Sequence, residues 1–145
     1  MKLVYICSPL AGDIENNLRF ARSACRYAAD QGCAPIAVHL LYPQILNDAV
    51  PAEREAGIRM GLRVLASCEE LWVCGNRISH GMRCEIAEAE RLGIPIRTVS
   101  AEQIQSDIFI VAERLTRDVC AQNMPGFLKD IEITPEEAPF PGMEL

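Results

Sequence analysis

Short apolar runs alternate along this chain with longer segments in which apolar residues return every three or four positions. "KLVYIC" (2–7) has the length and composition of a strand buried on both faces. In "NNLRFARSACRYAADQG", Leu18, Ala21, Cys25 and Ala28 share one helical stripe, and Gly32 ends it. "APIAVHLL" predicts a second strand, "YPQILNDAVP" a loop, and "AEREAGIRMGLRVLASC" a second helix with Pro51 near its start, where a missing N–H costs little. "ELWVCG" predicts a third strand. The segment "ISHGMRCEIAEA" (78–89) then gives a third helix with its apolar stripe through Ile78, Met82, Ile86 and Ala89, ending at Gly93, and "IPIRTV" gives a fourth strand. From Ser100, Ser-Ala-Glu-Gln has the form of a capping box, and Ile104, Ile108, Val111, Leu115 and Val119 make the apolar face of the helix it opens.

Successive βα units predict a parallel sheet covered on both faces, because parallel strands need crossover helices and those crossovers are right-handed. The expected fold is α/β: a doubly wound, Rossmann-like or flavodoxin-like sheet of four to five strands in three layers. Residues 1–132 make a single domain in this reading. Residues 133–145 hold three prolines and several acids and cannot continue a helix; they are a disordered tail or an arm laid on a neighbouring subunit.

Composition narrows the function. Half of the 145 residues are apolar, enough for one core. Fourteen basic against twenty acidic side chains give a net charge of −6, so the electrostatic footprint of a nucleic-acid-polymer binder is missing. No stretch reaches eighteen apolar residues and the apolar run at the N-terminus is too short for a signal h-region, so neither a membrane partner nor export is expected. The seven cysteines form no C-x-x-C pair and lie mostly in apolar runs, as small buried hydrophobes of a reducing compartment do; the expected location is cytoplasmic. Neither histidine has a ligand set at metal spacing, and no metal or cofactor is expected.

In open α/β sheets, ligands collect beyond the carboxyl ends of the strands. That rule selects two loops. The first, "CSPLAGDIENN", offers Ser8, Gly12 and Asn17 in a turn where backbone amides can approach a sugar or phosphate; it is not G-x-G-x-x-G, and Cys7 lacks the nearby arginine of a phosphatase loop. The second, "GNRISHGMRCE", places Ser79 as a helix N-cap, with Gly81 leaving room for a ligand. Glu85 follows Gly81 by one turn. Taken alone, Ser79 is a cap, Tyr5 a core aromatic, and Glu85 one more solvated helix carboxylate. With Gly81 lacking bulk, however, the Glu85 carboxylate can open toward the strand ends, where the helix N-terminus favours its ionised form by ~0.3–1 kcal/mol. Such an anion suits a nucleophile better than a proton donor.

"VYICSPLAG" and "ISHGMRCEIAEAERLGIPI" together resemble the nucleoside 2-deoxyribosyltransferase-like superfamily, which includes nucleotide N-glycosidases, and resemble most an uncharacterised branch of it. The resemblance implies that Glu85 attacks or stabilises C1′ as the base departs, and that the Tyr5 hydroxyl positions that carboxylate. It implies that Ser79, with Gly81 and Met82, seats a 5′-phosphate where transferases of free nucleosides carry an Asp. Ser8, Gly12 and Asn17 would line the same pocket. One departure stands out: relatives place an Asp in the helix before strand three, in a pattern like R-x-D-L, whereas this chain has "RMGL", with Gly61 at that position. The implied function is an N-glycosidase or deoxyribosyltransferase acting on a (deoxy)nucleoside 5′-monophosphate, its partner a small nucleotide or nucleoside. The alternatives are a nucleotide-sensing module without turnover and a purely structural protein. The resemblance also implies a homodimer or higher homo-oligomer.

Overall fold

The computed structural model describes residues 1–106 and Glu113. The chain divides after residue 110 into two compact units, and the first of them holds the sheet, its helices and the cavity. The expected boundary at 132/133, the tail, Cys120 and the helical face beyond Ile104 lie outside the described residues.

Four parallel strands form the sheet in the order β2-β1-β3-β4: β1 is Leu3–Cys7, β2 Ala34–Ile36, β3 Glu70–Cys74 and β4 Ile96–Val99. Helix α1 (Ile14–Asp30) connects β1 to β2, α2 (Pro51–Leu65) connects β2 to β3, and α3 (His80–Leu92) connects β3 to β4. Strand order reverses between β1 and β3, so the loops leaving their carboxyl ends diverge and a crevice opens between them. The doubly wound α/β reading holds, with four strands among the described residues.

Alternation along the central strands decides which residues can reach that crevice. Val4 and Ile6 of β1, with Trp72 and Cys74 of β3, face α1 and pack on Ala24, Tyr27 and Ala28, joined by Ile104. Tyr5 and Cys7, with Leu71 and Val73, face the other way, onto Leu65, Cys68, Met82 and Ala89. Tyr5 is therefore directed at α2 and α3. The helix predicted from Ser100 begins as its capping box requires: the Gln103 N–H donates to the Ser100 hydroxyl at 3.2 Å, and the Ser100 N–H to the Gln103 side chain at 2.9 Å.

Two sequence expectations need correction. The second strand does not extend to Leu41; it stops at Ile36, and two short 3₁₀ turns, Val38–Leu40 and Tyr42–Gln44, replace its second half. β2 is a sheet edge containing Pro35, which has no N–H to donate. In the turns that follow, His39 is buried and Val38 and Leu40 are half-buried, while Leu41 stays exposed. On α3, Ile78 lies before the helix and is half exposed, so the buried stripe begins at Met82.

Candidate active site

The crevice at the strand ends is a cavity of about 220 Å³. Ser8, Leu10 and Ala11 come to it from the loop after β1, and Ser79, Gly81, Met82, Cys84 and Glu85 from the start of α3. Val38, His39 and Tyr42 come from the 3₁₀ turns, and Gly57, Ile58, Gly61 and Leu62 from α2.

Ser79 starts α3. Its backbone is extended, its hydroxyl accepts the Met82 N–H at 3.3 Å, and its own N–H is directed at the Met82 sulfur at 3.4 Å. A Cβ added at Gly81 would meet nothing nearer than the Ser79 hydroxyl at 4.0 Å, so the wall is open above the helix N-terminus. Glu85 reaches the cavity from the second turn of α3. Behind it stands Tyr5, fully buried, whose hydroxyl donates to Glu85 Oε1 at 2.8 Å. Residues 80 positions apart thus meet within hydrogen-bond distance, although Tyr5 backs the carboxylate and does not itself line the cavity.

The charge preference of Glu85 differs from the expectation. Burial raises its carboxyl above the ordinary carboxylate value; hydrogen bonds from the Cys7 thiol and the Tyr5 hydroxyl oppose that without overcoming it. The helix N-terminus acts mainly over the first turn, and Glu85 lies beyond it. The Tyr5 hydroxyl points at Glu85, whereas the Cys7 sulfur also faces the Met82 carbonyl at 3.9 Å. Burial first, then the charge of Glu85, pushes both the Tyr5 phenol and the Cys7 thiol upward, so both keep their protons.

A second polar pair lies beside the first. Ser8 Oγ and His39 Nε2 are 2.8 Å apart, and both residues are buried. Burial lowers His39 to about 4, which makes it a neutral imidazole. Gly12 and Asn17 are not in the cavity wall. The Asn17 amide is occupied in holding the first loop, donating to the carbonyls of Leu10 at 2.9 Å and Ala11 at 3.0 Å. Gly12 serves the same loop by taking a φ of +97°.

Sequence reading saw Gly61 only as a gap. In the fold it is a contact point: a Cβ there would lie 3.3 Å from both the Tyr5 hydroxyl and Val38 Cγ2. The α2 backbone can close on the Tyr5–Glu85 pair because this residue has no side chain. Gly61→Ala gains about 1 kcal/mol of helix propensity and loses about 1–3 kcal/mol to overpacking against Tyr5 and Val38, so the expected net change is a destabilisation of at most about 2 kcal/mol. In a Tyr5→Phe background, which removes the contacted oxygen, the same change should cost measurably less; urea unfolding of the four proteins in that cycle checks it.

A family profile described as a domain of unknown function, DUF7768, matches residues 2–99. The chain belongs to the DUF7768 family. No curated protein sequence matches this DUF7768 member. Among solved structures, it is similar to a 2-deoxyribosyltransferase from the psychrotolerant bacterium Bacillus psychrosaccharolyticus at 16% identity and a TM-score of 0.57, over 68% of this chain and 72% of that one. It is also similar to a 2-deoxyribosyltransferase from Leishmania mexicana at 17% identity and a TM-score of 0.51, over 69% of this chain and 65% of that one. The DUF7768 chain therefore has the nucleoside 2-deoxyribosyltransferase-like fold, and it spans just under two-thirds of the Leishmania protein. Among the described residues, no helix is long and apolar enough to cross a membrane, and no cluster of His, Cys, Asp or Glu is placed to hold a metal ion.

Proposed function

We propose that this protein is an N-glycosidase of nucleoside 5′-monophosphates that works through Glu85. The observation that carries the reading is the Tyr5–Glu85 hydrogen bond of 2.8 Å, with its carboxylate in the wall of a cavity that also opens on the N-terminus of α3. Breaking an N-glycosidic bond builds positive charge on the sugar ring, and a fixed anion beneath C1′ favours that charged state over the neutral substrate. At the other end, the Ser79 hydroxyl and the N–H groups of the first α3 turn suit a dianionic phosphate. The likeness in fold to 2-deoxyribosyltransferases agrees with a sugar lying between these two points. A homodimer belongs to the same proposal: Leu41, Ile45 and Ile58, exposed on elements that wall the cavity, are what a second copy would cover.

The test pairs each nucleoside with its 5′-monophosphate and reads base release by chromatography. Monophosphates should be cleaved and free nucleosides cleaved at least ~10-fold more slowly, and Ser79→Asp should erase that preference by setting a carboxylate against the phosphate. Equal rates on both substrate classes would remove the phosphate seat from the reading. A second reading, a nucleotide sensor without turnover, is favoured by the glycine at position 61. It predicts a monophosphate that raises the melting temperature and is recovered intact.

A further inference from the structure

We propose that the substrates of this site are nucleoside 5′-monophosphates whose glycosidic nitrogen already carries a positive charge, a pyridinium or an N7-alkylated purine, so that the base departs as a neutral molecule. This inference rests on the glycosidase reading and narrows it. A neutral base leaves as an anion unless an acid protonates it, and a positioned acid contributes about 10²–10⁴ in rate.

Among the buried polar groups around Glu85 none is free to protonate a leaving base; the wall's other proton-bearing side chains, Tyr42, Asp48, Glu53 and His80, lie on the loops and helix starts that frame it, and Glu53 accepts the Asn47 N–H. The Tyr5 proton is directed at Glu85 at 2.8 Å, and the Cys7 thiol is held protonated beside the same carboxyl. Ser8 and His39 are bonded to each other at 2.8 Å, and burial keeps the imidazole uncharged down to about pH 4. From α2, the element facing this pair, position 61 presents bare backbone. A side chain there would begin 3.3 Å from the Tyr5 hydroxyl and from Val38, so a proton donor could be seated only where those neighbours gave way by a few tenths of an ångström. The polar interior is thus arranged to present one carboxylate, backed by Tyr5 and Cys7, and one neutral pair, Ser8 and His39.

The rim fits the same substrate. Asp48, Glu53 and Glu85 line the cavity against a single Arg54, an acidic balance that attracts a cationic ring and gains nothing from a neutral one. Leu10, Val38, Leu46 and Ile58 supply apolar walls for the flat ring, with Tyr42 beside them. The reaction balances without an acid. A Glu85 oxygen bonds to C1′ as the C1′–N bond breaks, and the bonding pair returns to nitrogen and cancels its charge. Water then adds at C1′ and displaces Glu85, giving the sugar phosphate and one proton to solvent per turnover.

The experiment incubates the full-length protein with nicotinamide mononucleotide and 7-methylguanosine 5′-monophosphate, and separately with the 5′-monophosphates of adenosine, deoxyadenosine, cytidine and uridine. Base release is read by chromatography and proton release with a pH indicator. The expected result is a kcat/KM at least ~10²-fold higher for the two cationic substrates, with one proton released per base. Gly61→Asp, made together with Val38→Ala to provide room, should narrow that gap by 10-fold or more, read as the ratio of kcat/KM between cationic and neutral substrates. If neutral-base monophosphates are cleaved as fast as the cationic pair by the unaltered protein, the charge requirement is overturned and the glycosidase reading stands. Absence of base release from every nucleotide in the panel overturns both. The unaltered protein alone decides these outcomes, whether or not the double variant folds.

Discussion

Glu85→Gln is expected to reduce base release by about 10³–10⁴-fold, the scale of losing a nucleophile or a transition-state counter-charge, while making the protein more stable at neutral pH. Glutamine is nearly isosteric, and its side-chain carbonyl can still accept the Tyr5 hydroxyl. What disappears is a buried charge. Because burial raises the folded-state Glu85 value above that of the unfolded chain, the folded protein holds this proton more tightly. Its contribution to stability is fully present below the unfolded carboxylate value and is lost as pH rises through the folded one. The variant, which never ionises there, should therefore be more stable than the parent at pH 7, with the difference shrinking as pH falls toward 4. Thermal melts at the two pH values check the stability half of the prediction, and chromatography checks the other. Loss of activity with loss of stability at both pH values would instead mark Glu85 as a structural side chain.

The second large effect belongs to His39, and its sign is opposite. Its folded value of about 4 lies below the unfolded value of 6.5, so the unfolded chain binds the proton first. Stability from this group is complete above pH 6.5 and falls as pH drops toward 4. The lowering from 6.5 to about 4 corresponds to a loss of the order of 3 kcal/mol. His39→Gln keeps a group able to bond Ser8 and removes the titration. Urea unfolding at pH 7.5, 5.5 and 4 should show the parent losing its lead over the variant across that range. A constant difference between the two would mean that burial does not shift His39 at all, and a lead that grows toward low pH would mean that His39 is protonated in the folded protein and that the Ser8 contact is a charged one.

Much of the fold is legible in the chain because strand and helix periodicities are local. The Val4-Tyr5-Ile6-Cys7 run, the Ser79 cap and the Ser100 box all depend on neighbours within a few residues, and each forms where its pattern places it. What was not legible depends on distant partners. "APIAVHLL" has the composition of a strand, yet pairing ends at Ile36 and His39 turns inward to meet Ser8, a residue 31 positions away. The direction of the Glu85 shift was hidden for the same reason: helix position favours ionisation, but burial among Cys7, Tyr5 and the α2 wall decides it. Asn17 looked like a pocket residue because asparagine suits loops that approach ligands. It also suits bonding the loop's own carbonyls, which is what it does here.

The 80-residue separation between Tyr5 and Glu85 bears on how the protein comes into being as well as on what it does. Loop-closure entropy opposes so long-range a contact until β3 has docked beside β1, so the cavity belongs to the late, high-contact-order part of folding. A nascent chain still short of α3 has no site to occupy, and a small molecule cannot template the early steps. Ligand affinity then becomes a reporter of complete assembly: any partially folded species, however compact, should be silent to it.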